Sequence, residues 1–349
     1  MYLKNTVVLC FFFFVLTSCK KSGTNDMSTK TAPTNLTVNA TVSTDGSGIV
    51  AFTATADNAA TYVYEFGNGI ILTVPSGITS YQYTTLGTIT YTVNVTATSS
   101  SGLSISKSVQ VTVSVLAGVP VLYWSDEFNT DGAPDPSKWG YDIGTGSGGW
   151  GNNELEYYTS RPVNVVVQGG VLKINAIREN YSGSAFTSAR LLSKGKFSFM
   201  YGKVEVRAKL PAGVGTWPAI WMLGNNINTV GWPACGEADI MEHRGSELNK
   251  IFGTLHYPGH SGGNADGSTI VIANATTQFH IYTLDWSAST IKIYVDGQLY
   301  HTVNNSSNIP FNQDFFMLLN VAMGGNFGGP VDPAFTNATM EIDYVRVYK

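Results

Sequence analysis

Charge is what this sequence lacks most. Of 349 residues, 13% are Asp, Glu, Lys or Arg, against about a quarter in an ordinary domain. The balance of 20 basic to 24 acidic residues leaves a net charge of -4, so there is no basic excess for nucleic acid or an anionic surface to act on. Cysteine is nearly absent: Cys10 and Cys19 belong to the N-terminal segment and Cys235 stands alone. With Cys10 inside the apolar N-terminal run and Cys19 at its end, Cys235 has no partner in the body of the chain for an intramolecular disulfide, and no His/Cys cluster has zinc spacing. Long apolar runs are missing too. The longest N-terminal one, Val7 to Leu16, has ten residues, half of the roughly 20 that a membrane span takes. The Gly-rich stretch from Gly144 to Asn153 has no Gly-Lys-Ser/Thr ending, which excludes a phosphate loop. It reads as a flexible loop at one end of a cleft. Helical periodicity is almost wanting throughout.

What is present begins with an export signal. Lys4 precedes the apolar run, and the run ends in Leu16-Thr17-Ser18-Cys19, which resembles a bacterial lipoprotein box. The resemblance implies a signal peptide over 1–18, lipidation of the Cys19 thiol, and a polar tether over 19–31. Two or more acyl chains give stable attachment. The expected location is the bacterial cell envelope, at the outer membrane, facing the periplasm or the exterior.

Residues 32–116 are rich in Thr, Val and Ser, lack Trp, and alternate with period two, as in Tyr91-Thr-Val-Asn-Val-Thr-Ala and Val109-Gln-Val-Thr-Val-Ser-Val. That pattern predicts a small immunoglobulin-like β-sandwich. Tyr64-Glu-Phe-Gly-Asn-Gly69, followed by Tyr91-Thr-Val-Asn-Val, resembles the polycystic-kidney-disease-type domain, with Asn68 where Asp is usual. Such a domain is expected to be a spacer. Glycan binding is the alternative, through an aromatic face of Tyr62, Tyr64, Tyr81 and Tyr83. After a short linker, residues 121–349 hold many short alternating segments, among them Lys203 to Leu210, Ile291 to Val295 and Met340 to Tyr348. With Asp296-Gly297 as a hairpin turn, they predict an all-β fold, a large two-sheet jelly-roll sandwich.

Against this scarcity of charge, Glu237-Ala-Asp239-Ile-Met-Glu242 places three acids within six positions of a strand-like segment. Carboxylates disfavour strands and repel one another, whereas glycoside hydrolysis needs two carboxyl groups flanking one bond. Strand parity puts Glu237 and Asp239 on one face and Glu242 on the other. One extra residue, a β-bulge at Ile240-Met241, returns Glu242 to the face of Glu237. The carboxyl groups can then approach the roughly 5–5.5 Å of a retaining enzyme.

The segment, extended to His243, resembles the active-site strand of glycoside hydrolase family sixteen, in the bulged form of laminarinases, agarases and carrageenases. Asp126-Glu-Phe-Asn129, Trp150-Gly-Asn-Asn-Glu154, Gly202 to Pro211, Gly215-Thr-Trp217-Pro-Ala-Ile-Trp221-Met, Gly253-Thr-Leu-His256, Val321 to Asn326 and Ile342 to Tyr348 carry the resemblance from about residue 121 to 349. Ala238 departs from the commoner Ile or Leu and is expected to point away from the cleft.

The resemblance implies a concanavalin-like jelly roll whose concave sheet carries the cleft. Glu237 would be the nucleophile, Glu242 the general acid/base, and Asp239 the group orienting Glu237. Trp221 and Trp232 are candidate sugar platforms, and Trp217 is a platform or a core residue. Asn153, Glu154 and Arg190 are candidates for the glycone subsites. His256 lies near the acid/base as a binding or structural residue, and Cys235 is either buried or at the cleft border. No cofactor is needed for catalysis, but the resemblance implies a structural Ca²⁺ at Glu127, the Gly170 carbonyl and Asp343, oxygen ligands that suit this ion. The expected activity is a retaining endo-β-1,3-glucanase on laminarin-type β-glucan, as a monomer. Mixed-linkage glucan, agar or carrageenan are alternative substrates, and a non-catalytic glucan-binding protein is an alternative role.

Overall fold

A computed structural model describes residues 31–349. The signal peptide, Cys19 and almost all of the tether lie outside the described residues. Within 34–115, one sheet joins Thr34–Val42, Ile49–Asp57 and Ile78–Gln82, and a second joins Ile71–Val74, Thr61–Glu65, Gly87–Thr98 and Ser104–Val115. These strands share a core of their own, centred on Val50, Phe52, Tyr64, Phe66, Tyr83, Val93 and Val113. That core corrects the expected aromatic face. Tyr62, Tyr64 and Tyr83 are buried, and half-buried Tyr81 stacks on Phe66 with ring centroids 4.0 Å apart. The Tyr64 hydroxyl donates to Gly77 O at 2.6 Å and that of Tyr83 to Phe66 O at 2.9 Å. Buried phenols need such partners, and with them satisfied the rings serve packing.

Residues 122–348 form two larger sheets. The ten-stranded one runs Glu156–Tyr158, Ser184–Ser188, Leu172–Tyr181, Asn337–Tyr348, Gly202–Lys209, His280–Trp286, Thr290–Val295, Gln298–Asn304, with Val165–Val167 and Leu122–Asp126 added at its side. The seven-stranded one runs Asp266–Val271, Lys250–His256, Glu237–His243, Thr216–Gly224, Phe315–Met323, Arg190–Leu192, Gly140–Asp142. A single apolar core spans both, including Val204, Val206, Ile220, Met222, Ala238, Ile240, Met241, Ile293, Met317 and Leu319. Alternation explains the pairing: in Gly202–Lys209 the buried positions are Val204, Val206 and Ala208. Such a strand faces a core on one side only. Phe315–Met323 is buried at every position, because its second face, with Phe316 and Leu318, packs under Leu223 and Cys235. Cys235 is therefore a buried thiol, pushed up to about 11 by burial and then by the charge of Glu237. The hairpin at Asp296-Gly297 has positive φ at both residues, 49° and 78°, as a type I′ turn requires.

Candidate active site

The bulge is where strand arithmetic placed it. Against Lys250–His256, Asp239 pairs with Thr254 and Glu242 with Phe252. Three steps on one strand thus match two on the other. Against Thr216–Gly224, Met241 pairs with Ile220 and Asp239 with Trp221, leaving Ile240 unmatched. Ile240 and Met241 both enter the core, as does Ala238, while Glu237, Asp239 and Glu242 together line a cleft of about 970 Å³. The space for the bulge comes from Gly253. A Cβ there would meet the Tyr300 hydroxyl at 2.4 Å, and that hydroxyl donates to the carbonyl of bulged Ile240 at 3.4 Å.

Each acid has a distinct neighbour. Trp217 Nε1 donates to Glu242 Oε1 at 2.9 Å, so Trp217 serves the acid/base candidate. His256 Nε2 lies 3.2 Å from Asp239 Oδ2 and 3.7 Å from Glu237 Oε1. The Gly262 N–H donates to His256 Nδ1 at 3.2 Å. The proton of a neutral ring is thereby placed on Nε2, facing the two acids. Burial is the first cause that pushes all three carboxyl groups up to about 8; for Glu237 and Glu242 the neighbouring charge of Asp239 comes second. His256 and Arg190 oppose the rise at Glu237, while the Trp217 bond, His256 and Arg244 oppose it at Glu242.

Of the other expected residues, Glu154, Arg190, Trp217, Trp221, Trp232 and His256 line the cleft. Arg190 is held between two indoles, its Cζ 4.6 Å from the Trp150 ring and 4.8 Å from the Trp221 ring, and Nε pairs with Asp142 at 3.0 Å. Trp232 is half-exposed, its ring 5.8 Å from that of His256, the exposure a sugar platform needs. Two expectations are modified. Asn153 is absent from the lining; its Nδ2 donates to Asn326 Oδ1 at 2.8 Å, and Asn152 takes its place at the cleft. Glu154 lines the cleft but is mostly buried, and its carboxylate also bonds into the wall behind. Its Oε2 accepts from the Tyr158 hydroxyl at 2.9 Å, Asn320 Nδ2 donates to the same hydroxyl at 3.0 Å, and Trp221 Nε1 donates to Asn320 Oδ1 at 2.7 Å. Glu154 therefore fixes the Trp221 ring through two intermediaries.

Sequence reasoning missed Trp150, Asn152, Asn320, Arg244, Phe252 and Phe327, all of which line the cleft. Asn320 left a signal, a lone amide in the apolar run Phe315-Phe-Met-Leu-Leu-Asn-Val-Ala. Trp150 and Asn152 lie in the motif that ends at Glu154 and Arg244 two positions past Glu242, whereas Phe252 and Phe327 carry no local signal.

Among the described residues, the His and acid grouping tight enough for a metal ion is Glu237, Asp239 and His256, whose ligand atoms lie within 4.8 Å of one another. Two of the three, Glu237 and Asp239, belong to the carboxyl cluster of the cleft. The expected calcium ligands are engaged otherwise. Both Glu127 oxygens accept from Arg346, at 2.9 and 2.7 Å, and Asp343 pairs with Arg207. Two carboxylates already neutralised by guanidinium groups do not form an open oxygen cage.

Comparison with known proteins agrees with this geometry. The beta-glucanase of Rhodothermus marinus is 46% identical over 244 residues, covering 65% of this chain and 85% of that protein. The glucan endo-1,3-beta-glucosidase of Cryptopygus antarcticus is 39% identical over 254 residues, covering 66% and 92%. The X-ray structure of the laminarinase from Rhodothermus marinus superposes with a TM-score of 0.64 at 45% identity, covering 66% of this chain and 98% of that one. Residues 152–346 match the model of the glycosyl hydrolases family 16, and the chain belongs to that family.

Proposed function

We propose that this protein is a retaining endo-β-1,3-glucanase acting on laminarin-type β-glucans. The observation that carries the reading is the bulged strand, which brings Glu237, Asp239 and Glu242 to one face of the cleft. Glu237 attacks the anomeric carbon while Glu242 gives its proton to the departing glycosidic oxygen. Burial and neighbouring charge keep Glu242 protonated for that step. Once Glu237 is esterified its charge is gone, so Glu242 becomes more acidic and then takes a proton from the attacking water. Asp239, beside His256, orients the nucleophile. Half-exposed Trp232, the indole of Trp221 and Arg190 give the cleft platforms and donors for a neutral glucan, and the names of the relatives favour the β-1,3 linkage.

The test is reducing-end release by residues 118–349 from laminarin, mixed-linkage glucan, agarose and carrageenan, with Glu237→Gln and Glu242→Gln as controls. Release from laminarin that both controls lose is expected. Release from a galactan alone would overturn the substrate, and no release from any of the four would favour a glucan-binding role.

The setting belongs to the same proposal. Residues 1–18 are read as a lipoprotein signal, Cys19 as the lipidated residue, and the mature chain as a monomer held at the outer membrane. Residues 32–116 are read as a polycystic-kidney-disease-type spacer, a role favoured by the burial of their tyrosines. Structural calcium is not part of the proposal, since an ion would have to win Glu127 and Asp343 from their arginines. A chelator is expected to leave Tm unchanged, and a fall in Tm would restore the calcium site.

A further inference from the structure

Two arginines line the cleft, and each is mounted between aromatic rings. Arg190 lies between Trp150 and Trp221. Arg244 lies over Phe327 at 4.1 Å and Phe252 at 4.9 Å, measured from Cζ to the ring centroids. The two phenyl rings meet edge to face 5.0 Å apart, and Phe327 packs 5.2 Å from Trp217, the partner of Glu242. Arg244 Nη1 reaches Glu247 at 3.3 Å, and its side chain keeps 36% exposure. Its Nε is buried without a hydrogen-bond partner. A single ion pair of that length leaves other Nη donors of the fork uncommitted, and a guanidinium presents its donors in fixed geometry.

The two cations also mark direction. Arg190 is the guanidinium whose charge reaches Glu237, and Arg244 the one whose charge reaches Glu242. The nucleophile bonds to the anomeric carbon of the sugar that is kept, and the acid faces the oxygen of the sugar that leaves. Arg190 therefore belongs to the glycone side and Arg244 to the aglycone side. Sequence order agrees: Arg244 follows Glu242 by two positions, and Phe252 is the strand partner of Glu242.

We propose that Arg244, held by Phe252 and Phe327, binds the hydroxyl groups of the departing sugar, and that in the second step the same residue captures an acceptor sugar in competition with water. The inference rests on the β-glucanase reading and extends it to glycosyl transfer. In the transfer, an acceptor hydroxyl oxygen bonds to the anomeric carbon. The ester bond to Glu237 breaks, with its electron pair returning to the carboxylate, and Glu242 takes the hydroxyl proton. Hydrolysis differs only in that water supplies the oxygen. Both routes use the same base, so the ratio of transfer to hydrolysis reports acceptor binding and is insensitive to the acidity of Glu242.

The experiment uses β-laminaribiosyl fluoride as donor, because fluoride leaves without a sugar on the aglycone side, and laminaribiose as acceptor. Fluoride and tetrasaccharide are counted for the wild type, Arg244→Met and Arg244→Lys, hydrolysis being the fluoride released less the tetrasaccharide formed. Arg244→Met is expected to lower the ratio about tenfold, the worth of roughly one hydrogen bond to a charged group. Arg244→Lys, which keeps the charge but loses the fork, is expected to fall between. Consumption of donor shows that a variant is folded; if Arg244→Met consumes none, the Lys variant carries the test. A wild-type ratio in the folded variants would overturn the proposal. Failure of the wild type to consume donor would overturn the glucanase reading, and the proposal with it.

Discussion

Replacing Trp217 by Phe tests whether the indole tunes the acid/base. Its Nε1–H donates to Glu242 Oε1 at 2.9 Å, and an indole can only donate. The bond therefore favours the carboxylate over the carboxylic acid, opposing a rise to about 8 whose largest cause is burial. A hydrogen bond to a charged group contributes about 1.5–3 kcal/mol. The protonated acid keeps a weaker version through its carbonyl oxygen, so the difference between the two states is roughly half of that. About 1.4 kcal/mol corresponds to one pKa unit. Trp217→Phe should therefore raise the pKa of Glu242 by about one unit, while the phenyl ring retains contact with Phe327, now 5.2 Å from the indole. The assay is the pH dependence of kcat/KM on laminarihexaose. Glycosylation needs Glu242 protonated, so the alkaline limb should move up by about one unit. Deglycosylation needs it ionised, so the acidic limb for that step should move up as well. An alkaline limb that stays in place or moves down would refute the reasoning.

The same burial makes a stability prediction. Glu242 holds its proton more tightly folded, at about 8, than its ordinary 4.5, so this contribution is complete below the unfolded value and is lost as pH rises toward 8. Glu242→Gln has no proton to lose. It should match the wild type in unfolding free energy near pH 4 and exceed it at pH 8, by on the order of 1–3 kcal/mol; stability curves that stay parallel would count against it. Gly253→Ala places a Cβ 2.4 Å from the Tyr300 hydroxyl. Overpacking of this kind costs about 1–3 kcal/mol, and because that hydroxyl faces the bulge carbonyl, activity should fall along with Tm. An unchanged Tm would show that the bulge does not need the gap.

How far the sequence could be read depended on whether a residue lay on a regular strand. The bulge followed from counting, because parity along a strand is arithmetic and three acids with a shared task must share a face. The core-facing Ala238 and the Asp296-Gly297 hairpin followed in the same way. Counting failed in the loop before Glu154. Gly149, Trp150, Gly151 and Asn153 all have positive φ, so the chain reverses repeatedly and Asn152, not Asn153, reaches the cleft. Glu154 has a carboxylate's sequence signature, but only the fold shows that it also supports Trp221, through the Tyr158 hydroxyl and the Asn320 amide. The tyrosines of residues 32–116 alternate like an exposed face, yet a two-sheet unit of that size has few larger side chains to fill its interior. The Arg244 end was illegible for another reason: Phe252 and Phe327 are 75 residues apart, and only sheet order brings them beside Glu242.

Scarcity of charge gives the acid cluster its chemistry. Three carboxyl groups share one buried face, and three ionised carboxylates there would repel strongly with little water to screen them. The cluster must therefore hold protons at neutral pH, and they belong to the set before they belong to any one residue. The few cations oppose the rise at both glutamates, with Arg190 at Glu237 and Arg244 at Glu242. His256 and Arg190 lie toward Glu237 and favour its carboxylate, the form a nucleophile needs. At Glu242 the indole of Trp217, His256 and Arg244 moderate the rise without removing it. Covalent capture of the sugar by Glu237 then cancels one negative charge, and the proton on Glu242 becomes easier to release at the moment when a base is required. In a protein with charge spread over its whole surface this would be one interaction among many. Here the same few groups place the proton, choose the nucleophile and reverse the role of the acid between the two steps.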